Sequence, residues 1–376
     1  MLIELYIFAF AIISYGFLIT FAIIGFNKLN RTIPLSKSSS PSFISIVASA
    51  KNEEQTIQEF IYQIVKQDFP KTHFELIIVD DCSDDKTYEL AKETLEKSGL
   101  QYQLIKQDIH FGKKKNLALA IKKSKGDIIV TTDADVIYRH PNWLQSISSY
   151  FYALSPNMLV MPVDFRSEPS FLATFQITEN IALTGVTAGY TGLQKPFMCN
   201  GANLALKKNI YELVDGYHSH LHLSSGEDVF ILESFKKINP KLVQYVLSRE
   251  LIVKTSTVNN LKDLISQRVR WASKTKENRS LLNTFFAFIV LISNLIFLAL
   301  LVAAFKKSVI LPFLSIFALA KFVFDFLLLF LASDFLGRLK YIWWLIPFEC
   351  IYWIYALYIG IVSLFYKPSW KGKKIK

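Results

Sequence analysis

The chain has 376 residues, 52% of them hydrophobic, and a formal net charge of +11. That length suits one or two soluble domains, or one domain joined to membrane segments. The positive charge does not signal nucleic acid, because no recognition helix, zinc knuckle or basic-aromatic module accompanies it. Lysines flanking hydrophobic runs suit anionic lipid headgroups, and some suit a diphosphate.

In chain order, residues 5–26 come first, an uncharged run of 22 that can cross roughly 30 Å of hydrocarbon as a helix. A cleavable leader is not indicated, since the basic n-region is missing and Lys28 and Arg31 follow the run. Those two cations favour the cytoplasm for residue 28 onward. This predicts a transmembrane helix over 1–27 and a linker over 28–42, whose 32–42 stretch is rich in Ser and Pro. Strand-length apolar runs follow at 43–49, 75–80, 102–106 and 127–132, with helical periodicity between them at about 53–67, 85–97 and 113–124. Such alternation predicts an α/β domain with a mainly parallel, Rossmann-like sheet covered on both faces. Its ligand would sit at the carboxyl ends of the strands. Farther on, strands are expected at 158–163, 201–207 and 242–247. Helices are expected at 170–184 and from Asp228, and a basic amphipathic helix over about 259–279. The soluble domain as a whole is expected over 43–280. Three more hydrophobic runs, 281–305, 308–333 and 341–366, form a C-terminal membrane region over 281–366, ahead of a basic tail at 367–376.

The three cysteines, Cys82, Cys199 and Cys350, are far apart and read as reduced, structural thiols. Neither G-x-G-x-x-G nor G-x-x-x-x-G-K-[ST] occurs, so phosphate chemistry here has to be metal-based. Asp133-Ala134-Asp135 suits that role, because two carboxylates past a buried strand are the hard oxygen ligands that Mg²⁺ or Mn²⁺ prefers. Alone, the triplet also reads as a solvated acidic turn. Asp80-Asp81 ends the second strand, either as an acceptor for a base N–H or as a helix cap. Glu227-Asp228 follows Gly226 and opens a helix, a position that the helix dipole alone would favour. Gln267, Arg270 and Trp271 share one helical face by i,i+3,i+4 spacing, which also fits a basic helix resting on a membrane. His218, His220 and His222 read as a loop over the acceptor more readily than as metal ligands.

In this combination the sequence resembles the family 2 glycosyltransferases of GT-A fold, in particular the membrane-integrated branch with cellulose synthase, hyaluronan synthase and ceramide glucosyltransferase. The resemblance spans about 43–275. It is carried by VASAKNEE, IIVDDCSDDKT, GKKKNLALAIKKSKGDIIVTTDAD, GANLALKK, GED and QRVRW, in that order. It implies that Asp81 contacts the nucleobase, with Ala50 and Glu53 in the loop lining the nucleotide pocket. Lys113 falls near the donor, Asp133 faces the donor ribose or sugar, and Asp135 ligates Mg²⁺ or Mn²⁺. Gly201 and Asn203 border the acceptor channel, and Asp228, next to Glu227, is the general base. Gln267, Arg270 and Trp271 cap the diphosphate and acceptor side. Gly226 replaces a threonine frequent before the family's E-D pair, a departure that bears on the base.

Chemistry supports a single base. Glycoside hydrolysis needs two working carboxylates, whereas a nucleoside diphosphate leaves readily once a metal and an arginine neutralise it. The expected activity is therefore inverting, metal-dependent transfer from a nucleotide-diphospho-sugar, UDP-linked by the resemblance, to a lipid, lipid-linked or glycan acceptor. A processive polysaccharide synthase is the alternative, although it needs a pore from more spans; a non-catalytic membrane scaffold is more remote. The expected location is a bacterial inner membrane with the catalytic domain in the cytoplasm. Four spans would then put the basic tail outside, against the positive-inside tendency, so either one segment is irregular or the tail departs from the rule. Segment 341–366, with Pro347 and Glu349 near its start, is the first candidate for irregularity. Lys321 and Asp325, at i,i+4, are expected to pair inside their hydrophobic run.

Overall fold

Three of the first four strands, at 44–50, 74–80 and 128–133, are rich in Ile, Val and Leu and buried on both faces, while the one at 101–106 is a more exposed edge strand. The three are stable only where both faces are covered. The structure, a computed structural model, describes residues 2–29, 42–166, 168–214, 226–277, 280–365, 369–370 and 373–374. The chain divides into two units, one of residues 1–28, 167–193 and 257–376 and the other of 29–166 and 194–256. The predicted histidine triplet at 218–222 lies outside the described residues, as does most of the linker and of the basic tail.

The second unit is the α/β one. Its strands and helices run β1 (Ile44–Ala50), α2 (Ile57–Val65), β2 (Phe74–Asp80), α3 (Thr87–Glu96), β3 (Gln101–Lys106), α4 (Lys113–Lys123), β4 (Ile128–Asp133) and β5 (Ile137–Tyr138). After these come α5 (Trp143–Leu154), β6 (Met158–Val160), β7 (Val163–Phe165), β8 (Asn203–Lys207), α7 (Lys208–Leu213), α8 (Glu227–Ile238), β9 (Val243–Tyr245) and β10 (Val253–Thr255). The label α1 is kept for Leu2–Lys28 and α6 for Phe171–Gly192, both in the first unit.

Seven strands form one sheet in the order β3-β2-β1-β4-β8-β6-β9. Strands β1 to β4 are mutually parallel, as the alternation of strands and helices predicts; β8 is antiparallel to both β4 and β6. The register aligns Ala50 with Asp80 and Ser49 with Asp133, so the acidic ends of β2 and β4 flank the end of β1. The core beneath is continuous, from Ile46, Ile78 and Val130 to Trp143, Ile147 and Leu159. The expected strand over 158–163 is two strands instead, β6 and β7, with Pro162 between them. Proline has no N–H to donate to a ladder, so the pairing changes there. β7 joins β10 and β5 in a small second sheet.

The first unit is helical. It holds α1, α6, α9 (Leu261–Glu277), α10 (Leu281–Lys306), α11 (Leu311–Leu336) and α12 (Leu345–Phe365). Among the described residues, four stretches are long and apolar enough to cross a membrane: Phe8–Lys28, Leu281–Lys306, Ser308–Leu336 and Leu339–Phe365. Their outward faces carry large apolar side chains such as Phe17, Phe288, Leu319 and Ile354, while Ser293, Asn294, Asp325 and Ser333 are buried. A helix apolar on its exposed side suits lipid rather than water. The last stretch begins irregularly, as a 3₁₀ segment over Leu339–Trp344 before α12.

Helix α6 extends to Gly192, beyond the expected 184, and packs against α1 and α11. At its crossing with α1 a Cβ on Gly25 would lie 1.8 Å from the Gly189 carbonyl oxygen, and one on Gly189 would lie 2.2 Å from that of Ala22. Two backbones meet there with no room for a side chain. Inside the bundle the Lys321 ammonium meets Asp325 at 2.6 Å, as its spacing predicts. It also meets Glu349 at 2.7 Å, and the Tyr15 hydroxyl donates to Asp325 at 2.5 Å.

Candidate active site

The carboxyl ends of β1 and β2 lead into two loops that are tied together by side chains. Asn52 and Cys82 both adopt the left-handed backbone conformation, with φ of +54° and +58°. The Asn52 amide N–H donates to Ser83 Oγ at 3.0 Å, and Asn52 Oδ1 accepts from the Asp84 N–H at 3.0 Å. Glu53 N–H donates to Thr87 Oγ1 at 2.7 Å. Lys51 Nζ donates to the carbonyl of Cys82 at 2.9 Å, closing the rim at which Ala50, Glu53 and Asp81 were expected.

Asp81 itself is fully buried. Its Oδ1 accepts from the Phe111 N–H at 2.8 Å, its Oδ2 from the Gly112 N–H at 3.0 Å, and His110 Nδ1 lies 2.7 Å from Oδ2. The carboxylate therefore grips the turn before α4, a structural engagement that the expected contact with a nucleobase did not include. Gly112 sits at φ +93°, and a Cβ added to it would meet nothing within 4 Å, so it is backbone conformation and not space that calls for glycine. Asp80 caps the next turn, accepting from the Ser83 N–H at 3.2 Å and from its hydroxyl at 2.5 Å.

The turn gripped by Asp81 delivers Lys113 as the first residue of α4, and its ammonium meets Asp133 Oδ1 at 2.5 Å. On the other side of Lys113 lies Gly201. A Cβ added there would stand 3.6 Å from Lys113 Nζ, 3.4 Å from Asp228 Cβ and 3.9 Å from Asp228 Cγ. The structure thus brings Lys113, Asp133, Gly201 and Asp228 together from four separate places in the sequence. Gly201 is held by Thr131 of β4, whose hydroxyl donates to its carbonyl at 3.2 Å. Asp228 stands in the first turn of α8, just after Gly226, whose φ of +86° starts the helix abruptly. Of Glu227 only the backbone is described, as the first residue of that helix.

Asp135 lies past the end of β4, where Thr255 Oγ1 of β10 approaches its Oδ2 at 3.4 Å. Burial pushes its pKa up to about 6, and the charges of Asp133 and Glu53 push the same way. A carboxylate strained by burial and like charge is one that a cation would relieve. The donor chemistry therefore fits a divalent metal at Asp133 and Asp135. Among the described residues no three His, Cys, Asp or Glu side chains form a complete ligand set. A cation here would draw its remaining ligands from a bound phosphate and water, as Mg²⁺ commonly does.

Asn203, expected beside the acceptor, is fully buried instead. Its Oδ1 accepts from Trp143 Nε1 at 3.2 Å, and its Nδ2 donates to the carbonyls of Pro162 and Leu251 at 2.9 and 2.8 Å. It pins β8 to the wall behind the site. Nothing in the local sequence shows this, since all three partners are distant in the chain.

Gln267, Arg270 and Trp271 belong to α9, in the helical unit. The residue between them matters as much. Arg268 is buried, pairs with Glu179 of α6, donates to Gln267 Oε1 and lies 4.3 Å from the Trp271 ring centroid. Sequence reasoning passed over both Arg268 and Glu179. The available signal was that Glu179 is the one charged residue in the 22 of α6.

Residues 45–214 match the model of the family described as Glycosyl transferase family 2. Over 92 residues the chain is 37% identical to poly(ribitol-phosphate) beta-N-acetylglucosaminyltransferase TarS of Staphylococcus aureus (strain Mu50 / ATCC 700699), covering 24% of this chain and 16% of TarS. It is 25% identical over 95 residues to the undecaprenyl-phosphate 4-deoxy-4-formamido-L-arabinose transferase of Edwardsiella ictaluri (strain 93-146), covering 25% of this chain and 29% of that protein. The matched stretch thus spans less than a third of either relative. Among solved structures, the mannosyltransferase PcManGT from Pyrobaculum calidifontis, in complex with GDP-Man and Mn²⁺, is similar with a TM-score of 0.56 at 14% identity, over 96% of this chain and 99% of that one. That likeness speaks for the GT-A fold.

Proposed function

Starting from a glycosyl transferase family 2 domain over residues 45–214, we propose that this protein is an inverting, metal-dependent glycosyltransferase. It moves a sugar from a nucleotide-diphospho-sugar to a lipid or lipid-linked acceptor at a membrane. The observation that carries the reading is the convergence of Asp228, Gly201, Lys113 and Asp133 in the unit that also holds Asp135.

Roles follow from chemistry. The loops around Ala50 and Glu53 receive the nucleotide, and Asp81 acts by holding the 110–112 turn that aims Lys113. Asp133 and Asp135 would hold Mg²⁺ or Mn²⁺, which when bound would supply positive charge to the diphosphate. Lys113, at the amino end of α4, adds an ammonium at a helix N-terminus, a position suited to phosphate. Gly201 leaves open the space beside Asp228, and an acceptor hydroxyl fits there. Asp228 takes the proton of that hydroxyl while its oxygen bonds to the anomeric carbon from the face opposite the diphosphate. The anomeric carbon–oxygen bond breaks, the nucleoside diphosphate departs with the electron pair, and the configuration inverts. Gln267, Arg270 and Trp271 are assigned by motif to the diphosphate and acceptor side.

The lipid acceptor rests on the four apolar helices and on the lipid-phosphate acceptor in the name of one relative. The bilayer partner, and a bacterial inner membrane with the catalytic unit in the cytoplasm, belong to the same proposal. A uridine donor accords with the membrane branch that the motifs resemble. The test supplies the purified protein with a panel of nucleotide-sugars, lipid extracts and Mg²⁺ or Mn²⁺, and identifies the labelled product. Asp228→Asn should keep nucleotide binding and lose transfer by on the order of 10²-fold or more. Transfer at the wild-type rate would remove Asp228 as base, and a long polymer as product would replace single transfer with processive synthesis.

A further inference from the structure

We propose that Glu179 is a positioning residue for the Q-R-V-R-W segment, acting through the guanidinium of Arg268. This rests on the reading above that the segment serves transfer. Glu179 uses both carboxylate oxygens. Oε2 accepts from Arg268 Nε at 2.8 Å and from Nη2 at 2.5 Å, and Oε1 accepts from the Tyr355 hydroxyl at 2.9 Å. One carboxylate thereby joins α6, α9 and α12.

What Arg268 does with the rest of its guanidinium gives the pair its direction. Its Nη1 donates to Gln267 Oε1, and its Cζ lies over the Trp271 ring, 4.3 Å from the centroid. Two of the three side chains assigned to transfer are therefore set by a residue that is itself clamped from behind. The side chains of Arg268 and Glu179 are only 4% and 10% exposed, so this is not a screened surface pair. A buried guanidinium left unpaired would reorient or draw in water. Lysine is no substitute, because it has neither the fork that engages Glu179 nor the flat face that meets Trp271.

The clamp has a backing. Glu349, Tyr352 and Tyr355 recur every three residues along one face of α12. The Tyr352 and Tyr355 rings lie 5.7 Å apart, and Lys321 Nζ is 5.9 Å from the Tyr352 ring while it pairs with Glu349 and Asp325. A chain of contacts, aromatic at Tyr352 and Tyr355 and polar elsewhere, thus runs from the buried charges of the bundle to Gln267 and Trp271. A simple staple between helices would hold the protein together without setting the rate, and this distinction is measurable.

The experiment measures initial rates against donor concentration for the full-length protein and for Glu179→Gln, Trp271→Ala and their combination, with a thermal midpoint for each. Both single variants should lower kcat/KM by about tenfold to a hundredfold, and the double variant should fall no further than the worse single, because both remove the same arrangement. Multiplying losses would overturn the proposal, as would an unimpaired Glu179→Gln beside an impaired Trp271→Ala. Wild-type turnover by Trp271→Ala would overturn it differently, by removing the segment from transfer altogether. Should Glu179→Gln not yield folded protein, Tyr355→Phe removes one hydroxyl and no charge; its smaller loss should likewise vanish in the Trp271→Ala background, and an undiminished loss there would count against the proposal.

Discussion

Replacing Asp135 by asparagine should make the metal-free protein more stable while abolishing its activity. In the folded chain the Asp135 carboxyl titrates at about 6, raised from 3.8 by burial and by the neighbouring Asp133 and Glu53. The folded state therefore holds this proton more tightly than the unfolded state does. As pH rises from about 4 the unfolded chain ionises first, and stability falls until the folded carboxyl has ionised too, above about 6. The difference of roughly two pKa units corresponds to about 3 kcal/mol lost at neutral pH. An amide carries no such charge and keeps an oxygen for the Thr255 hydroxyl. Thermal unfolding in detergent with a chelator should show Asp135→Asn above wild type by about 6–12 °C at pH 8, and the gap should close near pH 4. Adding Mn²⁺ should reverse the order, since a cation bound only to the folded wild type at a thousand times its Kd contributes about 4.1 kcal/mol. A variant no more stable than wild type at pH 8, or a gap unchanged between pH 4 and 8, would refute the electrostatic argument.

Three further outcomes follow from distances. Gly201→Ala places a methyl in ordinary contact with Asp228 and near Lys113, so stability should change by less than about 1 kcal/mol while transfer falls at least about tenfold; unfolding and rate assays on one preparation separate the two. Asn203→Ala leaves the Leu251 carbonyl and the Trp143 indole without these partners, at a cost of about 1–3 kcal/mol each, while the Pro162 carbonyl keeps the Val253 N–H at 3.3 Å. It should lower the thermal midpoint while sparing the activity of the folded fraction, and an unaltered midpoint would contradict the buried network. Gly189→Leu puts a side chain where the Ala22 carbonyl oxygen lies 2.2 Å from a Cβ; it should separate α1 from α6 and lower recovery of monodisperse protein, whereas normal recovery would argue against the close crossing.

The strands β1 to β4 were legible to within a residue or so at each end, because short apolar runs bounded by acidic or lysine residues are local signals. The acidic ends of β2 and β4 were legible for the same reason. What was not legible depends on partners far away in sequence. The sheet of β5, β7 and β10 is made of strands two or three residues long, too short to show a period. The second half of α6, with its Gly and Thr residues, reads as loop; small residues belong there because α1 crosses at Gly189. Asn203 looked like a ligand contact from its motif, and its burial depends on Trp143, Pro162 and Leu251. Glu349 was noted as an interruption in a hydrophobic run, and only its proximity to Lys321 turns it into a partner.

Neither unit is a continuous stretch of chain, and this sets a timetable for biosynthesis. Helix α6 leaves the ribosome before the last strands of the α/β unit, and before the α11 that covers it. Glu179 is made 89 residues ahead of Arg268, so at roughly 5–20 residues per second its carboxylate waits several seconds for its partner. During that interval β8, β9 and β10 can complete the α/β unit, while α1 and α6 have only each other. The glycine crossing between α1 and α6 is available from the moment α6 is made, which makes it the contact that holds the nascent helical unit until α9 to α12 arrive.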